Sequence, residues 1–197
     1  YVPNDIDLRD KRGWLLYGLN AAGKSTLMKM VALNIIMAQA GLYVPCDNMM
    51  LAPYNAIYTR ITKGDNILNG QSTFMLEMSE LRNILNRADK QSLVIGDELC
   101  SGTETLSAIA IVHSGVTRLI SKEASFIFAT HLHELVDCFD KHQIVRICHL
   151  HVEYDTDTMD LVYDRRLRPG DGPRTYGVEV CKSLDMPDDF INDALMM

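Results

Sequence analysis

No apolar run in the chain approaches the roughly 18 to 20 residues that cross a bilayer, so the chain reads as soluble, with no membrane partner. Basic charge is scarce as well. The 19 Lys and Arg stand against 26 Asp and Glu, a formal net charge of -7, whereas nucleic-acid-binding domains display a clustered basic face. That balance argues against a large phosphate-backbone footprint; if the chain serves nucleic acid, another part of the molecule holds it. The five cysteines, Cys46, Cys100, Cys138, Cys148 and Cys181, are odd in number and far apart, with no C-x-x-C pair. They fit a reducing, intracellular compartment better than a disulfide framework. No initiating methionine or signal-peptide pattern precedes Tyr1-Val2-Pro3-Asn4-Asp5, and the chain reads as an excised piece. Low-complexity segments and internal repeats are missing; His-Leu-His at 131–133 and 149–151 is too short to be a repeat architecture.

What the chain does have is Gly18-Leu19-Asn20-Ala21-Ala22-Gly23-Lys24-Ser25, placed after the apolar run 14–17 and before the apolar-periodic run 26–40. Strand, glycine loop and helix is the context that gives G-x-x-x-x-G-K-S/T its meaning. The glycines let backbone N–H groups from Ala21, Ala22, Gly23, Lys24, Ser25 and Thr26 turn around a phosphate. The helix start directs its positive dipole end at the anion, Lys24 adds a full charge, and Ser25 offers a hydroxyl to Mg2+. A nucleoside triphosphate is the expected ligand. At 197 residues the chain fits one domain that buries about 70% of its unfolded surface.

Along the chain, Gly41 ends the first helix, residues 56–60 suit a strand, and a glycine- and asparagine-rich loop, including Gly64-Asp65-Asn66, leads to a helix at 73–88. Met75, Met78, Leu81, Leu85 and Ala88 fall at helical spacing there, a core-packing stripe. The continuous apolar run 92–96 predicts a strand buried on both faces that delivers Asp97 and Glu98 at its carboxyl end, where ligands of parallel sheets gather. A helix at 104–121, a strand at 125–129 ending in Thr130-His131, and a short helix at 134–139 follow. Residues 144–153 and 159–163 flank Asp155-Thr156-Asp157 as an antiparallel hairpin. Residues 165–174 read as a surface loop, and two helices close the chain, near 176–184 and from 188 onward. The fold class is α/β with an antiparallel addition.

Two adjacent carboxylates divide the work at the acidic strand end. Asp97 can reach Mg2+ directly or through its water, opposite Ser25, and Glu98 can orient and deprotonate the water that attacks the γ-phosphate. His131, at the next strand end, can hydrogen-bond to the γ-phosphate or to that water. Cys148 beside His149 and His151 lacks the paired spacing of zinc sites, and the hairpin explains it. Gly70-Gln71-Ser72-Thr73, a glycine turn with hydroxyls at a helix start, is either a plain serine cap or a second anion site acting in trans on a neighbouring subunit's nucleotide.

Taken together, GLNAAGKSTLMK, GQSTFMLEMSELRNIL, SLVIGDELCSGTET and FATHLHEL resemble the ATPase domain of the MutS mismatch-repair family, with the motifs in family order over the whole of 1–197. Thr175-Tyr176-Gly177-Val178-Glu179-Val180 resembles the segment after the family's hairpin. The resemblance implies a P-loop NTPase of the ABC type, an ATPase sheet with flanking helices, and 143–197 as the hairpin and C-terminal helical region. It implies Mg2+ and ATP as ligands, with ATP sandwiched in a homodimer or a paralogue heterodimer and coupled to mismatched DNA held by domains outside this chain. It adds Asn20 to the phosphate contacts, makes Ser72 the trans contact, keeps the roles of Lys24, Ser25, Asp97, Glu98 and His131, and places Tyr1 where an aromatic stacks on adenine. Leu19 stands where most members have proline. Cys100-Ser101-Gly102-Thr103 replaces G-R-G-T, which removes an arginine near the dimer interface and resembles the divergent viral and organellar branch. A structural ATPase of the SMC type would carry a coiled-coil insertion, and a transport ATPase would carry L-S-G-G-Q; neither is present.

Overall fold

The most continuously apolar stretches form the middle of the sheet. β1 (Gly13–Tyr17), β3 (Ser92–Asp97) and β4 (Ser125–Ala129) are buried at every position except Asp97, as parallel strands covered on both faces must be. The structure is a computed structural model and describes residues 2–61, 73–155, 160–173 and 176–196. Within those residues the remaining strands are β2 (Ala56–Arg60), β5 (Val145–Asp155) and β6 (Asp160–Pro169). The sheet order is β2-β3-β4-β1-β5-β6. All neighbours are parallel except β5 and β6, which are antiparallel.

Side chains along a strand alternate between the two faces, and this divides the core. Leu15, Tyr17, Val94, Phe126 and Phe128 face one cluster, against α2 (Thr73–Arg87), α3 (Thr105–Ser121) and α4 (Glu134–Phe139). Trp14, Leu16, Leu93, Ile95 and Ile127 face the other, against Leu27, Met28, Val31 and Ile35 of α1 (Lys24–Gln39). Gly41 (φ 75) closes α1 in the left-handed conformation, with its amide on Ala38 O and the Leu42 amide on Met37 O, so two end carbonyls are satisfied at once. α5 (Tyr176–Ser183) and α6 (Asp188–Leu195) complete the described elements. No helix among the described residues is long and apolar enough to cross a membrane.

Two expectations are corrected. The stripe of α2 does not include Met75, which is 59% exposed. Phe74, Met78, Leu81 and Leu85 pack on the core instead, and Met75 lies one residue, about 100°, round the helix from Phe74. Residues 165–169 are not loop but the second half of β6, with Leu167 opposite Leu150, Arg168 opposite His149 and Pro169 opposite Cys148. Charges survive in this strand because it is the sheet edge, and Pro169 stands at its end, where a missing N–H interrupts no ladder. Between Leu150 and Val152 the pairing shifts, so that residues 164–166 bulge, with Arg165 left-handed at φ 58.

Candidate active site

Because β3, β4 and β1 are neighbours, their carboxyl ends lie side by side. They carry Asp97-Glu98, Thr130-His131 and the glycine loop, and ligand crevices of open α/β sheets form outside such ends. The loop holds Gly18 (φ 136), Ala21 (φ 67) and Gly23 (φ 107) in left-handed conformations. Gly23 is the residue before α1 and makes no side-chain cap, and a helix start directs its first amides and its positive dipole end towards an anion. Ala22 is placed otherwise: its methyl is buried and its amide donates to Leu19 O at 3.1 Å. Ala21 and Thr26 are exposed at the rim.

Lys24 is 5% exposed, and its Nζ donates to Gly18 O at 2.7 Å and Leu19 O at 3.2 Å, with His131 Nε2 at 3.5 Å. Ser25 Oγ donates to Asp97 Oδ2. Those two oxygens converge on one point from α1 and β3, which fits a divalent cation held by one or two protein groups and completed by phosphate and water. His131 Nε2 lies 2.8 Å from Glu98 Oε1 and 3.2 Å from Asn20 Oδ1. The turn presenting His131 is fixed by Thr130, whose amide donates to Leu16 O and whose Oγ1 accepts the Leu132 amide at 3.1 Å. Among the described residues no group of three or more His, Cys, Asp or Glu could hold a metal ion by itself. Tyr1, Gly64-Asp65-Asn66, Gly70-Gln71-Ser72 with the trans contact at Ser72, and Thr156, Asp157 and Thr175 lie outside the described residues.

After Asp97 the chain makes an unusual turn. Glu98 (φ 49) and Cys100 (φ 63) are both left-handed, a conformation that costs a residue with a side chain roughly 1–2 kcal/mol. Such costs collect at functional sites. Cys100 stands where the resemblance has glycine, and its side chain is buried in the core. Burial first, and the Glu77 carboxylate second, push its thiol up to about 12.

One residue of the site escapes sequence reasoning. Arg165, on the β6 bulge, lines the same cleft of ≈ 200 Å³ as Lys24, Ser25, Thr26 and Glu98. Its guanidinium nitrogen would lie 3.8 Å from a Cβ built on Gly23, and it stands over the Tyr163 ring at 5.9 Å. Asn4 clamps the bulge, its Nδ2 donating to Arg165 O at 2.9 Å and its Oδ1 accepting the Leu167 amide at 2.8 Å. The only sequence signal is an arginine-rich run after a strand, and that signal reads equally well as a solvated loop.

The sequence that builds this site has known relatives. The family described as MutS domain V matches residues 14–197, and the chain belongs to that family. It is 43% identical over 194 residues to the mitochondrial DNA mismatch repair protein mutS homolog of Sarcophyton glaucum, covering 98% of this chain and 19% of that protein. It is 46% identical over 187 residues to a mutS homolog of Acanthamoeba polyphaga mimivirus, covering 92% and 17%. To the DNA mismatch repair protein MutS of Fusobacterium nucleatum it is 41% identical over 195 residues, covering 98% and 21%. The chain thus spans about a fifth of the length of these curated relatives. A mitochondrial and a viral form are among them, in keeping with the branch that Cys100-Ser101-Gly102-Thr103 resembles.

Proposed function

We propose that the chain is a P-loop ATPase domain of the ABC type, residues 1–197, that binds and hydrolyses Mg-ATP and uses the nucleotide state to switch a dimer within a mismatch-repair protein. The observation that carries this reading is the meeting of Glu98 with His131 at 2.8 Å beside Lys24, while Ser25 meets Asp97. The loop amides and Lys24 bind the phosphates, with Asn20 and His131 beside the terminal one. Water attacks the γ-phosphorus, the bond to the β–γ bridging oxygen breaks, and Glu98 takes the water's proton, with His131 orienting either the water or the phosphate. Ser25 and Asp97 would hold Mg2+, which when bound neutralises charge on the phosphate oxygens.

The cleft, at ≈ 200 Å³, is smaller than the roughly 300–1,000 Å³ of a complete small-molecule pocket. It suits the phosphate end of a nucleotide whose other face is covered by a second copy or a paralogue, through Ser72 in trans, with Tyr1 on adenine. DNA contact belongs to parts of the protein beyond this domain, in line with the net charge of -7. Free Cys46, Cys100, Cys138, Cys148 and Cys181 suit a reducing compartment. Neither the relatives named above nor the described helices, of which the longest has 17 residues, support the SMC-type alternative.

The test is Glu98→Gln, which should bind ATP and lower turnover by roughly 10²-fold or more. Wild-type turnover in that variant overturns the role of Glu98. Sedimentation of the same variant with and without Mg-ATP should show association only with nucleotide; identical profiles over a wide concentration range count against a shared site.

A further inference from the structure

Helix α2 carries an acid where its apolar stripe calls for a hydrocarbon. Glu77, three residues beyond Phe74 and four before Leu81, shares their core-facing side and is 6% exposed. A carboxylate there is costly unless its oxygens are engaged, and its Oε1 accepts the Cys100 amide at 2.8 Å. A backbone amide on an ionised oxygen is among the stronger hydrogen bonds available to a chain.

That amide sits in the turn that carries Glu98. At one end the Glu98 amide donates to Ala129 O at 2.9 Å, which ties the turn to β4. The turn's own bonds, Ser101 amide to Glu98 O and Thr103 amide to Cys100 O, are long at 3.3 and 3.4 Å. Two left-handed residues in three, Glu98 and Cys100, persist only where the surroundings hold them. The short bond from Cys100 to Glu77 is the hold at the far end.

We infer that Glu77 is a positioning residue for Glu98: by fixing the Cys100 amide it keeps residues 98–100 in their turn and so holds the Glu98 carboxylate against His131 and the cleft. This rests on Glu98 being the base of the reaction proposed above. It also gives α2 a mechanical link to the catalytic turn, so that a displacement of the helix moves the base.

Three variants of the intact protein test it. Glu77→Gln keeps an oxygen acceptor in place, Glu77→Asp keeps the charge but withdraws it by one methylene, and Glu77→Met fills the space with no acceptor. In Glu77→Met and Glu77→Asp, ATP affinity should stay within about twofold while kcat falls roughly 10- to 100-fold, the scale of a misplaced catalytic group. Glu77→Gln should rescue kcat to within about fivefold of wild type. Amide hydrogen exchange over residues 99–101, read without turnover, should quicken in Met and Asp but not in Gln. A Met or Asp variant with wild-type kcat overturns the inference, as does a Gln variant as slow as the other two, which would assign the effect to charge. If Glu77→Met fails to fold, the comparison of Gln with Asp decides. Glu98→Gln run in parallel separates the two readings. Wild-type turnover in Glu98→Gln removes the base, whereas unchanged exchange in Glu77→Asp removes the tether.

Discussion

Strands β1, β3 and β4 are five or six residues long and end in fixed polar groups, whereas β5 and β6 are eleven and ten residues long, partly exposed and irregular where they pass the same cleft. Both halves of the sheet furnish the site, by different physical means. The parallel half sets its strand ends by burial: once the apolar strands are packed, Asp97 and the starts of the turns that carry Glu98 and His131 are placed, and Glu77 holds the far end of the Glu98 turn. The hairpin half sets Arg165 by a shift in pairing, and holds that shift with the side chain of Asn4. The first half should therefore tolerate no substitution at its polar ends, and the second should be adjustable.

The largest test of this contrast is Lys24→Ala. Removing a buried cation from the loop should raise the Kd for ATP roughly 100-fold, the loss of one or two charged hydrogen bonds, measured by titration calorimetry. Arg165→Ala, from the hairpin, should raise Kd only about 5- to 10-fold and leave the single-turnover rate of bound ATP unchanged. Equal losses in the two variants break the contrast. A smaller effect is expected for Asn4→Ala, about 1 kcal/mol of unfolding free energy for its two bonds to β6, read from urea midpoints.

The last test acts only in alkali. Cys100 on the parallel side and Cys148 on the hairpin side both have thiols raised from an ordinary 9.0 to about 12, chiefly by burial. A raised folded-state pKa gives stability that is complete below pH 9 and lost as pH climbs from 9 towards 12, because the unfolded chain releases those protons first. Urea midpoints should fall over that window, and Cys148→Ala should flatten the fall while leaving the slope at pH 6 to 8 untouched. An equally steep fall in Cys148→Ala removes this thiol as a cause.

The unequal legibility of the two halves has the same origin as their unequal rigidity. Lys24, Ser25, Asp97 and Glu98 could be picked out because the chemistry is contiguous with the apolar run that positions it, so a strand, its end and its side chains are read together. His131 was visible as a residue at a strand end, although its approach to Asn20 depends on β4 lying beside β1. Arg165 gave no such reading, since a bulge breaks the alternation that marks a strand, and charge on an edge strand looks like charge in a loop. Met75 fits the helical spacing yet lies outside the core, because that spacing fits more than one face when apolar residues are adjacent, as Phe74 and Met75 are. Glu77 stood in plain view inside that stripe, but only the placement of Cys100 beside it explains why an acid is there.

The edge formed by β6 has a consequence for the protein at high concentration and during folding. An uncovered strand invites another chain to add itself to the sheet, the route by which β proteins aggregate, and charge, proline and bulges are the features that discourage it. β6 combines Asp164, Arg165, Arg166 and Arg168 with a terminal Pro169 and a break in its ladder. The opposite edge, β2, is only five residues long and ends in Arg60. Among the described residues neither border is a good template for sheet extension, so edge-to-edge pairing of the sheet should be disfavoured as the chain folds.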